Sequence, residues 1–159
     1  MNIELLCVGK IKERYLRDAI AEYAKRLSRY ATVTIKEVRD EKTGESLTEK
    51  ERMQITNEEG NRLLAKLPQG AYTIVLALDG QAFSSEEFSI FLNDRMVEGK
   101  STLVFVIGGS LGLSEKIIQK ADKIISFSKM TFPHQLMRVI LLEQIYRGFK
   151  ILRHEPYHK

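Results

Sequence analysis

An α/β fold, a mainly parallel sheet with helices on both faces, is predicted by three features of the 159-residue chain. Short apolar runs recur, segments of helical period stand between them, and turn residues mark most of the changes. Right-handed crossovers follow from that alternation. With 43% hydrophobic residues, one compact domain spanning 1–159 can bury roughly 70% of the surface its unfolded chain would expose.

Ile3 to Val8 is short, apolar and followed by Gly9, as a buried strand would be. Leu16, Ala19, Ile20, Tyr23, Leu27 and Tyr30 then recur at three- and four-residue spacing. That spacing predicts an amphipathic helix with Arg14, Arg17, Lys25, Arg26 and Arg29 on or beside its polar side. Thr32 to Val38 alternates like a half-exposed strand. The polar stretch after it contains Gly44 and reads as a loop, and a second helix runs from Thr48 to Lys66, stopped by Pro68 and Gly70. Tyr72 to Leu78 is a continuous apolar strand. Ser84 with Glu87 three residues later forms a capping-box start for a helix ending near Gly99. Ser101 to Ile107 is another buried strand, a short helix covers Ser114 to Ala121, and Lys123 to Ser128 gives a fifth strand. The last helix runs from Pro133 to about Arg153.

That last helix carries more apolar side chains, from Leu136 to Leu152, than the stripe of about 100° that one sheet face can bury. A second subunit covering the excess is the economical answer, with burial inside a monomer as the alternative. The net charge of +4 is unevenly placed. Residues 10–30 hold seven basic and three acidic side chains, residues 37–98 seven and thirteen, and residues 123–159 seven and two. Brought together, the two basic ends suit a polyanion such as RNA; ordinary solvated helix faces are the plainer reading. Cys7 is the only cysteine and sits in an apolar strand, so it reads as a small buried hydrophobe in a reducing cytoplasm. Nothing resembles a signal peptide, and no apolar run approaches the roughly 20 residues that cross a bilayer, which predicts a soluble chain.

The segment "IGGSLG" follows a strand and precedes a helix, where glycines let backbone N–H groups approach a ligand. It is neither a Walker A loop nor G-x-G-x-x-G. The missing early fingerprint and its acidic partner also disfavour a nucleotide-dependent oxidoreductase. In open α/β sheets ligands collect beyond the carboxyl ends of the strands, and Leu76 to Gly80, Ile107 to Gly112 and Ser126 to Phe132 all lie at such ends. The third segment is oddly apolar for a connection. It makes sense as a wall presenting main-chain groups to a flat heterocycle, with Met130 and Phe132 packed around the ring or, alternatively, plugging the core. His134, His154 and His158 are the only histidines and no Cys or carboxylate cluster supports them, so no metal is expected. The terminal "EPYHK" combines an aromatic ring, an imidazole and an ammonium, as stacking on an unpaired base would require, although tails are commonly disordered.

"VFVIGGSLGL", "SFSKMTFPHQLMRVILLEQIYRGFKI" and the terminal "PYHK" resemble a family of the SPOUT superfamily that methylates N3 of a pseudouridine in 23S rRNA of the large ribosomal subunit. The resemblance covers essentially the whole chain. It implies a single SPOUT methyltransferase domain with a carboxyl-terminal trefoil knot, acting as a cytoplasmic homodimer through the last helix, without a metal or a membrane. S-adenosylmethionine contacts carried over by position fall on Leu76, Gly108, Phe127, Ser128, Lys129, Met130, Thr131 and Phe132. His134, Arg147, Tyr157 and His158 are similar to the family's catalytic group, with Lys159 on the substrate side. Lysine at the end keeps charge but lacks a planar fork for phosphate. The basic helix, through Arg17 and Arg26, and the tail of a second subunit are expected to hold the rRNA.

Methylating an imide nitrogen requires placing it in line with the methyl carbon and removing its proton. His134 or His158 could accept that proton, or Arg147 and Lys159 could stabilise the anion. An RNA-binding or assembly protein that keeps the fold without binding S-adenosylmethionine is the competing class.

Overall fold

The computed structural model describes residues 1–159. Five strands alternate with five helices: β1 (Asn2–Val8), α1 (Arg14–Leu27), β2 (Thr32–Val38), α2 (Glu49–Lys66), β3 (Tyr72–Ala82), α3 (Ser85–Val97), β4 (Thr102–Ile107), α4 (Glu115–Gln119), β5 (Lys123–Ser126) and α5 (His134–Leu152). The strands make one sheet in the order β2-β1-β4-β3-β5, and every neighbouring pair is parallel.

Strand pleating sorts the side chains to two faces. Ile3, Leu5 and Cys7 of β1 join Leu103, Phe105 and Ile107 of β4 in the larger core, which takes Leu27 from α1, Phe88 and Leu92 from α3, and Leu141, Ile145 and Phe149 from α5. Leu6, Val8, Val104 and Val106 face the other way, against Leu63 of α2 and Ile117 of α4. Chain direction along the sheet reverses whenever the connecting helix changes face. All four crossovers therefore have one hand, as the twist of parallel sheets demands.

Local chemistry fixes the element ends. Ser84 Oγ accepts from the Glu87 N–H at 3.1 Å while the Ser84 N–H donates to the Glu87 carboxylate at 2.7 Å. Thr48 and Glu51 make the same reciprocal pair at the start of α2. The Asp122 carboxylate accepts from the Thr73 N–H at 2.7 Å, and the Asp122 N–H donates to the Thr73 carbonyl at 2.8 Å, which clamps the start of β5 to β3.

Two departures from the sequence reading matter. β3 continues past Leu78 to Ala82: Leu76 and Gln81 both pair with Ile125, so residues 77–80 loop out of the strand and return to it. A Cβ at Gly80 would stand 2.5 Å from the Ile125 carbonyl carbon, so only glycine allows that return. Second, α5 packs between α1 and α3, so both its flanks are covered within the subunit. Much of its apolar excess is used there. Leu136 remains 37% exposed, and Val139 and Ile140 are half-buried.

Candidate functional site

The chain leaves β5 at one edge of the sheet and crosses the carboxyl ends of the strands to reach α5. Beneath that crossing lies a cleft of about 770 Å³, lined by Leu76–Leu78, Ile107–Leu113, Ile125–Ser128, Met130–His134, Ile118 and Met137. The three strand-end segments singled out in the sequence thus meet in one cavity. Of the positions carried over by resemblance, Leu76, Gly108, Phe127, Ser128, Met130, Thr131 and Phe132 all line it, whereas Lys129 is exposed and does not.

Backbone geometry explains the residue types. A Cβ on Gly108 would meet the Gly112 carbonyl oxygen at 2.8 Å, because the loop folds back so that Gly112 N–H donates to Gly109 O at 3.1 Å. Gly112 itself has φ of +84°, the left-handed region. On the opposite wall Ser126 Oγ donates to Ser128 O at 3.1 Å, and Ser128 Oγ accepts the Met130 N–H at 2.9 Å. The segment is braced by its own side chains.

No Lys, Arg, Asp or Glu lines the cleft, and twelve of its 21 lining residues are hydrophobic. Such a wall does not suit a nucleotide's phosphates. It does suit an uncharged ring system held by main-chain groups and the hydroxyls of Ser110, Ser126, Ser128 and Thr131, so the residues present fit the nucleoside end of S-adenosylmethionine. His134 is the only readily titratable side chain on the wall. Burial, then the Arg138 guanidinium one turn away, holds its pKa below the ordinary 6.5. Cys7, by contrast, is pushed up to about 12 by burial, an inert thiol.

Arg147, Tyr157 and His158 assemble elsewhere. The Glu143 carboxylate accepts from Arg147 at 2.5 Å and from the Tyr157 hydroxyl at 3.0 Å. His158 Nδ1 lies 3.2 Å from Arg147, and its Nε2 lies 2.7 Å from the Glu86 carboxylate. Arg147 sits over the Tyr157 ring at 4.7 Å, and Tyr146 meets that ring edge-on at 4.9 Å. The tail is therefore docked. His154, with φ of 55°, turns the chain, and Glu155 accepts from Lys150 at 2.6 Å and Tyr30 at 2.7 Å. Burial, then the Glu143 carboxylate, pushes the Tyr157 phenol up to about 12.

His134 and Arg147 stand thirteen positions apart on α5, about 20 Å along its axis, so one subunit does not unite the expected catalytic group. Arg17 and Arg26 are separated too, by nine positions and about 180° around α1. Arg26 is taken up by Glu22 at 3.0 Å and by the rings of Tyr23 and Tyr146; Arg17 is exposed. Lys159 is exposed at the end of the tail. Sequence reasoning missed Glu143 and Glu86. The four-residue spacing of Glu143 and Arg147 was a visible signal; Glu86 had none, because only the folded tail brings His158 to it.

A family model described as "Predicted SPOUT methyltransferase" matches residues 1–158. The chain is 56% identical to a Listeria monocytogenes protein and 57% identical to one from Bifidobacterium animalis, both named ribosomal RNA large subunit methyltransferase H, over 159 residues and the full length of each. A Carboxydothermus hydrogenoformans protein of the same name is 54% identical, again over the full length of both chains. Among solved structures, a putative methyltransferase from Legionella pneumophila with bound cofactor SAM superposes with TM-score 0.51 at 9% identity, covering 94% of this chain and 66% of that one. A probable methylase family protein from Haemophilus influenzae gives TM-score 0.53 at 11% identity, covering 99% and 70%. With its parallel sheet, strand-end cleft and full-length match, the chain belongs to the SPOUT methyltransferase family.

Proposed function

We propose that this protein methylates N3 of a pseudouridine in the 23S rRNA of the large ribosomal subunit, with S-adenosylmethionine as methyl donor. The observation that carries the reading is 54–57% identity, over both full lengths, to proteins bearing the name ribosomal RNA large subunit methyltransferase H. The neutral, phosphate-averse cleft supports it from the side of the cofactor.

Leu76, Gly108 and the Phe127–Phe132 segment would hold the cofactor, chiefly through main-chain groups, with Lys129 outside the lining wall. Bound there, S-adenosylmethionine supplies a methyl group already activated by its sulfonium. The chain's own work is placement and proton removal. His134 lines the cleft and is biased to its neutral form, so its imidazole accepts the imide proton. The Arg147, Tyr157 and His158 cluster, with Lys159, is too distant in the same subunit and acts on the RNA from the partner of a homodimer joined through α5. The exposed Leu136 and the half-buried apolar residues beside it support that contact.

A single domain over residues 1–159, a knotted carboxyl-terminal part and a cytoplasmic location without a metal belong to the same reading. The return of the chain across the strand ends to α5 supports the knot. No helix is long and apolar enough to cross a membrane. Mass spectrometry of rRNA from cells with and without the protein tests the activity: the expected result is one methylated pseudouridine lost on deletion, and unchanged rRNA refutes it. Calorimetry with S-adenosylmethionine separates this reading from a non-enzymatic RNA-binding protein that retains the fold.

A further inference from the structure

The connection between β1 and α1, taken with the first turn of α1, has properties that the cleft does not use. Lys10, Lys12, Arg14 and Arg17 bring four cations to eight residues, against the single acid Glu13. Ile11 and Leu16 are buried at 9% and 7% exposure and pin the segment at two points. The side chains between and beside these anchors are thereby held on the solvent side: Lys10, Lys12, Arg14, Tyr15 and Arg17 are all exposed.

Their charges are unspent. Lys10, Lys12 and Arg17 make no ion pair or side-chain hydrogen bond, and Arg14 reaches Asp18 only at 3.9 Å with both side chains in solvent. Tyr15, 71% exposed, is the one exposed aromatic ring in the chain; the other Tyr and Phe residues are buried or half-buried. An isolated exposed ring would mean little. A ring beside the unpaired cations Lys12 and Arg17 has the chemistry of a single-stranded nucleic-acid platform.

Gly9, which opens the segment, has its carbonyl held at 2.7 Å by Arg138, one helical turn beyond the cleft residue His134. Glu13 is close enough to His134 to act on its charge. The platform therefore borders the mouth of the cleft.

We propose that Lys10 to Arg17 is a docking surface for single-stranded RNA, in which Lys10, Lys12 and Arg17 contact phosphates and Tyr15 stacks on an unpaired base beside the one that enters the cleft. This rests on the rRNA reading above and deepens it. It also moves the footprint away from Arg26, whose charge is taken up by Glu22 and two tyrosine rings.

The test measures binding of the full-length protein to large ribosomal subunits from cells lacking it, across a salt series, with calorimetry of S-adenosylmethionine alongside. Lys10→Glu with Lys12→Glu should weaken binding and lower the slope of log affinity against log salt by about two. Tyr15→Ala should cost about tenfold at an unchanged slope. S-adenosylmethionine affinity should stay at the wild-type value in each. Should the charge-reversed protein unfold, Lys10→Gln with Lys12→Gln tests the same loss of phosphate contacts. Wild-type affinity and slope in the variants, with methylation intact, would overturn the surface alone. A wild-type protein that neither binds nor methylates these subunits would overturn the rRNA reading and the surface with it.

Discussion

The buried guanidinium of Arg138 donates to the carbonyl of Gly9, 129 positions earlier in the chain, at 2.7 Å. It also donates to Val8 O at 3.2 Å and to the Glu37 carboxylate at 2.7 Å, so one side chain of α5 ties the ends of β1 and β2 to the first turns of the last helix. A charge with 1% exposure persists only because these three acceptors meet it.

Replacing Arg138 by Ala strands two carbonyls and a carboxylate. Because the Glu37 side chain keeps 33% exposure, the cost should be about 3 kcal/mol, below the upper range for a fully buried pair. Thermal unfolding should show a fall on the order of 10 °C. A change of a degree or two would mean that water replaces the lost donors.

His134→Asn should lower the single-turnover methylation rate by about 100-fold while leaving S-adenosylmethionine affinity unchanged. The pH dependence has a definite sign. The folded pKa lies below 6.5, so the neutral acceptor dominates at pH 7 and the wild-type rate should fall only as pH drops well under that value. Over the same window the unfolded chain binds more protons, and stability should rise with pH. A rate flat through that range would remove His134 as the acceptor.

Gly60→Ala probes the support behind the glycine loop. Its Cβ would stand 2.2 Å from Ser114 Oγ, a buried hydroxyl with no hydrogen-bond partner. The clash should cost about 1–3 kcal/mol and weaken S-adenosylmethionine binding by displacing the loop. Adding Ser114→Ala removes the oxygen and should restore most of both; calorimetry and melting curves report the two effects separately.

The distance between His134 and the tail cluster makes a prediction about mixtures. Proteins carrying His134→Asn or His158→Ala should each be impaired. Random mixing should return about a quarter of wild-type activity, since half the dimers are hybrids and each hybrid has one intact pairing. Sedimentation should confirm dimers, and complementation absent from mixed dimers would place the whole reaction within one subunit.

Glu143→Gln should lower the titration midpoint of the Tyr157 phenol from about 12, because the carboxylate that opposes its ionisation is gone. Ultraviolet difference absorbance against pH reads this once the titration of a Tyr157→Phe protein is subtracted to isolate one phenol among six. An unmoved midpoint would assign the whole shift to burial.

What the sequence disclosed depended on how local the cause was. Strands such as Thr102–Ile107 and the Ser84 cap of α3 were legible because hydrophobic period and capping chemistry act within a few residues. The three cleft segments were legible because strand ends gather ligands in parallel sheets. The placement of β5 beside β3, the seat of α5 between α1 and α3, and the folding back of Tyr157 onto Glu143 all depend on partners far away in the chain. No periodicity records those.

The detour of β3 through Ala77–Gly80 sets a count that the chain must keep. Leu76 and Gln81 share Ile125 as partner, so adding or deleting one residue between them would drag either the near or the far pairing out of register. The edge strand β5, only four residues long, is gripped on both sides of that detour, and loop length here is as constrained as any core volume.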